Sequence, residues 1–234
     1  MRVGYFHFAV RHADPIAELR ASLSAARNRA PIVDSLIVLP EGFNIRTFYA
    51  ETEKASCNNP DVLSRLLVLS KDYLVCFVAG LIVREEGGPQ PPFSSAYFVG
   101  QAQWRLISRK RREDNFLNRY TPCVADFDVA QPIEHSRARI AALICIDFSD
   151  DNASERIRRL QADESCTLLC VPACTNRILP DTGRGCLVTE ADWPNKIVVM
   201  ANSHPSGRSF VTNRQGRVVE TTKDKRNEVC VVDT

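Results

Sequence analysis

Ile140-Ala141-Ala142-Leu143-Ile144-Cys145-Ile146-Asp147-Phe148-Ser149-Asp150 passes from an unbroken apolar segment into a polar one, with a cysteine at the break. A buried strand that stops at a turn holds its last residue rigidly. It exposes that residue at the sheet edge and leaves the next backbone N–H groups free to point at a substrate. Two other segments are built the same way. Leu36-Ile37-Val38-Leu39-Pro40 runs into Glu41 and Gly42, and Trp104-Arg105-Leu106-Ile107 runs toward Lys110. A thiol, a carboxylate and an amine at three strand ends are a set that converges on one pocket.

Each residue has a plainer reading taken alone: Cys145 as a small core hydrophobe, Glu41 as a capping or surface carboxylate, Lys110 as a solvated base. Their joint order carries the weight. Leu39-Pro40-Glu41-Gly42-Phe43, Ser108-Arg109-Lys110-Arg111 and Ile144-Cys145-Ile146-Asp147 resemble the three catalytic segments of the nitrilase or carbon-nitrogen hydrolase superfamily, in that family's chain order. The likeness continues through Leu168-Leu169-Cys170-Val171-Pro172-Ala173, Val198-Val199-Met200-Ala201-Asn202 and the hairpin-like 207–216. It spans nearly the whole chain.

The resemblance implies a single domain over 1–234. Its fold would be a four-layer αββα sandwich of two mixed β-sheets flanked by helices, assembled as a homodimer or larger homo-oligomer through one helical face. It implies an amidase-type hydrolase for a small linear amide or carbamoyl substrate, with no cofactor and no metal. Cys145 would be the nucleophile, Glu41 the base, and Lys110 with the backbone N–H of Ile146 the oxyanion stabiliser. The chain departs from the pattern in two places. Many members carry a second Glu that orients the lysine; here Asp126 and Glu134 are the candidates, Glu134 slightly favoured. Phe148-Ser149-Asp150-Asp151 stands where many members have Arg-Phe-Pro-Glu. A catalytically silent scaffold that binds a metabolite or a protein partner is therefore the alternative. A redox protein pairing Cys145 with Cys174 is a third reading, and nothing in the sequence fixes those two within bridging distance.

Composition sets the frame. With 234 residues, 44% hydrophobic and 25% charged, the chain has the balance of a globular domain with one substantial core. No apolar run is long enough to span a bilayer, and the first residues read as a strand instead of a signal peptide, so a cytoplasmic protein without a membrane partner is expected. The net charge of +2 is too small to call for a polyanion, and the run Arg109-Lys110-Arg111-Arg112 lacks interleaved aromatics, so nucleic acid is not expected as a partner. Nine cysteines without a secretory signal read as reduced thiols. Cys57, Cys76, Cys123, Cys166, Cys170, Cys186 and Cys230 are taken as packing, and their spacing is not that of structural zinc.

Strand and helix signals alternate along the chain. A strand over 3–8 gives way to a helix capped by Asp14-Pro15, with Ile16, Leu19, Leu23 and Ala26 on its inner face. Asn59-Pro60 opens a second helix carrying Val62, Leu63, Leu66 and Leu67 inward. Residues 73–83 read as a buried strand, 85–92 as a hairpin loop, and 95–99 and 104–107 as strands. A helix is expected over 152–161, with Ile157 and Leu160 facing in. A strand over 167–171 is expected to end at Pro172. No internal repeat is visible.

Overall fold

The computed structural model describes residues 1–10, 14–45, 59–83, 93–100, 102–110, 133–135, 138–145, 155–175, 193, 195–222 and 226–234. The chain opens with β1 (Arg2–His7), α1 (Pro15–Arg29), β2 (Leu36–Leu39), α2 (Asn59–Tyr73), β3 (Cys76–Val83), β4 (Phe93–Val99) and β5 (Trp104–Arg109). It continues with β6 (Ile133–His135), β7 (Ala138–Ala142), α3 (Glu155–Ala162), β8 (Cys166–Ala173), β9 (Ile197–Asn202), β10 (Phe210–Thr212), β11 (Val218–Thr221) and β12 (Glu228–Asp233). These form two six-stranded sheets, in the orders β12-β1-β2-β3-β4-β5 and β11-β10-β9-β8-β7-β6. Each has a parallel centre, β1-β2-β3 in one and β7-β8-β9 in the other, and antiparallel flanks.

The side-chain alternation of the strands builds the layers. Val3, Tyr5, Leu36, Val38 and Val78 of the first sheet share a core with Ile140, Leu168, Val198 and Met200 of the second. Phe6, Phe8, Ile37, Leu39 and Phe77 face the other way and meet Ile16, Leu19, Leu23, Leu63, Leu66 and Leu69 of α1 and α2. Leu160 of α3 joins the core built on the second sheet. Two mixed sheets face to face with helices outside make the αββα sandwich.

Local signals explain the helix starts. Asp14 accepts hydrogen bonds from Ile16 N at 3.0 Å and Ala17 N at 3.1 Å, with Pro15 in the first helical position. Its carboxylate also reaches Arg65 of α2 at 2.7 Å, although so exposed a pair adds little stability. No helix among the described residues is long and apolar enough to cross a membrane.

Two boundaries differ from expectation. Residues 73–83 divide: α2 runs to Tyr73, Leu74 turns through a φ of 54°, and β3 begins at Cys76. The helix end is pinned by Val75 N donating to Ser70 O at 3.1 Å and by the Tyr73 hydroxyl near Ser24 and Arg20. Strand β8 does not stop at Pro172 but continues to Ala173. Cys170 O accepts from Leu143 N on the β7 side and Ala173 O from Ser203 N on the β9 side. By alternation the Pro172 nitrogen faces β7, whose ladder ends opposite Cys170, so its missing donor costs no hydrogen bond.

The sheets approach closely at Gly80 of β3. A Cβ there would lie 2.6 Å from Pro172 Cβ, 2.8 Å from Glu41 Cα and 2.8 Å from Pro40 O. We expect Gly80→Ala to cost about 1–3 kcal/mol, the usual range for overpacking a filled core. Gly100→Ala should cost less, because its nearest obstacle is the ring edge of Phe98 at 2.9 Å. Urea midpoints of the two variants measure the difference.

Candidate active site

The C-terminal ends of the parallel strands all open toward one end of the sandwich, and the chemistry-bearing residues collect there. Glu41 follows β2 in a turn where Gly42 takes a φ of 65°, a conformation glycine adopts without a Cβ penalty. Phe43 N donates to Gly80 O at 2.9 Å. The Asn44 amide spans the β3 backbone, donating to Ile82 O and accepting from Ile82 N, both at 2.8 Å. The Ser203 hydroxyl donates to Glu41 O at 3.2 Å. The backbone that carries the carboxylate is thereby fixed from both sheets.

Lys110 follows β5, and its backbone N donates to Ser94 O on β4 at 2.8 Å. Its ammonium donates to Glu41 Oε1 at 2.9 Å, and both side chains are only 1% exposed. The Ser94 hydroxyl donates to the same Oε1 at 2.8 Å. The surface readings of Glu41 and Lys110 fail on this burial.

Cys145 ends the apolar run in a left-handed conformation, φ 49°. A side chain there stores local strain of about 1–3 kcal/mol. The residue is 2% exposed, where the sequence led us to expect an open sheet edge. It lies in the core that the two sheets share. The thiol points to Cys174 O at 4.0 Å. Burial pushes the thiol upward, the Lys110 charge pulls it down and the Glu41 charge raises it again. The three predicted residues therefore form one electrostatic unit, a buried thiol in the field of a carboxylate and an ammonium.

The remaining predicted residues are not gathered in. Ile146 and Asp126 lie outside the described residues. Glu134 stands on β6 with its Cα opposite Arg139, at the start of β7, whereas Cys145 follows the far end of that strand. The intervening run spans about 20 Å at the usual rise of a strand, so β6 carries position 134 away from Lys110.

No family model and no curated protein sequence matches the chain. Solved structures do. The amidase from Nesterenkonia sp. superposes with a TM-score of 0.73 at 19% identity, over 100% of this chain and 90% of that one. Its complex with butyramide, in a Cys→Ala variant, gives 0.74 at 19% identity, with 100% and 90% covered. A Glu→Gln variant bearing the Michael adduct of acrylamide on its active-site cysteine gives 0.72 at 19%, with 100% and 93% covered. A Cys→Ser variant of the same amidase, from the nitrilase superfamily, gives 0.73 at 18% identity, with 100% and 91% covered. The chain shares the fold of these amidases.

Within this nitrilase-type fold, sequence reading passed over four polar residues that brace the strand ends. Ser94 is one, discoverable only by deciding which of two adjacent serines in β4 faces inward. Ser203 is another. Asn202 is the third: its side chain donates to Thr175 O at 2.7 Å and accepts from Thr175 N at 3.1 Å and His204 N at 3.0 Å, tying the exits of β8 and β9 together. His7 completes the set. Its Nδ1 lies 2.9 Å from Ser209 Oγ, which accepts from Asn202 N at 2.9 Å. Burial lowers the His7 pKa to about 4 despite a hydrogen bond to the Asn202 backbone.

We expect Lys110→Met to destabilise the fold by about 3–5 kcal/mol, because it strands a buried carboxylate. The double variant Glu41→Gln/Lys110→Met should recover much of that loss in urea unfolding. His7 is kept neutral in the fold, so the unfolded chain gains its proton first as pH falls through about 6.5. His7 should therefore withdraw stability between that pH and about 4, by an amount of order 3 kcal/mol. A His7→Gln variant should lack this component in urea midpoints taken across the same range.

Proposed function

We propose that the protein hydrolyses a small linear amide through a thioester on Cys145. The observation that carries this reading is the buried Glu41–Lys110 pair at 2.9 Å, set in the field of a buried thiol. Such an arrangement serves attack by a thiol whose proton leaves as it attacks.

Cys145 sulfur adds to the amide carbonyl carbon as its proton passes to Glu41. The oxyanion that forms is held by the Lys110 ammonium and the backbone N–H of Ile146, each donor contributing about 3–4 kcal/mol to the transition state. Glu41 returns the proton to the nitrogen, ammonia departs and the acyl group stays on sulfur. Water, giving a proton to the same carboxylate, then attacks the thioester, releases the carboxylic acid and restores the thiol. The near-complete burial of all three side chains favours a short acyl chain, in line with the acrylamide and butyramide bound by the Nesterenkonia amidase. The resemblance also implies a cytoplasmic homodimer or larger homo-oligomer.

The test is ammonia release from a panel of short aliphatic amides. We expect turnover in the native chain, none in Cys145→Ala with the fold intact, and in Glu41→Gln a covalent acyl or acrylamide adduct mapped by mass spectrometry to Cys145. A chain that releases no ammonia, and whose Cys145 labels no faster than its other cysteines, would be the silent scaffold instead.

A further inference from the structure

Cys174, at the exit of β8, is not needed as a thiol by the chemistry above, yet it lies beside the nucleophile. Ala142 pairs with Cys170, and Leu143 N still bonds Cys170 O at 3.1 Å. The two chains leave that ladder at the same end, three residues before Cys145 and four before Cys174. Neighbours at ordinary strand spacing and one residue out of step lie about 6 Å apart at Cα, within the range of about 4.4–6.8 Å that a disulfide spans. The Cys145 thiol already touches the Cys174 backbone, 4.0 Å from its carbonyl oxygen. The two sulfurs also sense each other's charge.

The thiols differ in access. Cys145 is 2% exposed, whereas Cys174 is half-buried. Asn202 holds Thr175 by two hydrogen bonds, at 3.1 and 2.7 Å, so the backbone after Cys174 is fixed and side-chain rotation is what remains to close the pair. The other described cysteines are less well placed. Cys166 and Cys170 are buried within β8, Cys76 lies at the start of β3, at the far end of the sandwich from Glu41, and Cys230 stands on the edge strand β12 opposite Tyr5.

We propose that Cys174 is a redox modification site: low-molecular-weight disulfides oxidise it from solvent, and exchange onto Cys145 closes a Cys145–Cys174 disulfide that blocks the nucleophile. In the first step the Cys174 thiolate attacks one sulfur of the small disulfide and expels a thiolate, leaving a mixed disulfide on Cys174. In the second, Cys145 gives up its proton and attacks the Cys174 sulfur, expelling the other small thiolate. The protein's two thiols are oxidised to one disulfide, the small disulfide is reduced to two thiols, and the two protein protons end on those thiols. The loss of activity rests on the function proposed above. The crosslink does not.

The probe is oxidised glutathione added to the full chain, followed by alkylation of remaining thiols and peptide mapping without reduction. We expect a crosslink joining the Cys145 and Cys174 peptides, with amide turnover lost in parallel and restored by dithiothreitol. Cys145→Ala should accumulate a stable glutathione adduct on Cys174, because the thiol that would displace it is gone. In Cys174→Ser, Cys145 should remain alkylatable after the same treatment. The proposal is overturned if Cys145 stays alkylatable in the native chain, if the mapped disulfides join other cysteines, or if Cys145→Ala takes up no glutathione at Cys174. Since mapping needs no turnover, an inactive chain that still crosslinks would count against the hydrolase reading alone.

Discussion

The ion pair between Glu41 and Lys110, 2.9 Å long and almost wholly removed from water, is the constraint around which the end of the sandwich is organised. Withdrawing two charges from solvent costs several kcal/mol each, and attraction offsets this only when the geometry is good and further hydrogen bonds complete it. Here Ser94 supplies a second donor to the same oxygen at 2.8 Å. The backbones carrying the charges are clamped as well, Glu41 through Phe43 and Asn44 to β3 and Lys110 to β4. Two apolar side chains of similar volume would serve stability as well, and the energetics of the pair therefore point to chemistry as its reason for being there.

That clamp is a product of topology. Both sheets repeat one succession of pairings, antiparallel, parallel, parallel, antiparallel, antiparallel, when the first is read from β12 and the second from β6. Stacking them brings the ends of β2 and β5 against those of β7, β8 and β9. Gly80 and Pro172 are the price of this closeness: one lacks a side chain where Glu41 passes, and the other fills the gap opposite. The repetition leaves no trace in the sequence, because strand order and direction are set by loop lengths and buried pairings.

What the sequence made legible were local devices. Asp14-Pro15 announces a helix because its cap is satisfied within three residues, and Pro40-Glu41-Gly42 announces a strand end because proline and glycine each fix a local backbone choice. Legibility fails where the partner is remote. Whether Ser94 or Ser95 faces inward depends on register with β3 and β5, and whether Pro172 ends β8 depends on where the ladder of β7 stops. Asn202 reads as the tail of an apolar strand, and only contact with Thr175 reveals it as a brace. Glu134 was favoured from its place in the chain between the lysine and the cysteine. Pairing with Arg139 shows that this stretch enters the second sheet at the opposite end.

In the reaction proposed above, the buried state of Cys145 decides what kind of nucleophile it would be. In thiolate–imidazolium sites the sulfur is ionised before the substrate arrives, and reactivity is limited by access. Here burial keeps the proton on sulfur, with the Lys110 charge favouring its loss and the Glu41 charge opposing it. In the proposed reaction ionisation would then coincide with attack, the carboxylate taking the proton while the ammonium, partly released from its partner, faces the new oxyanion. A single positive charge is thus shared in turn by two anions that never exist together at full strength. Such a reaction would favour small carbonyl substrates, and it would give the strained backbone at Cys145 a use: the sulfur is aimed in advance, since it is not attracted there by its own charge.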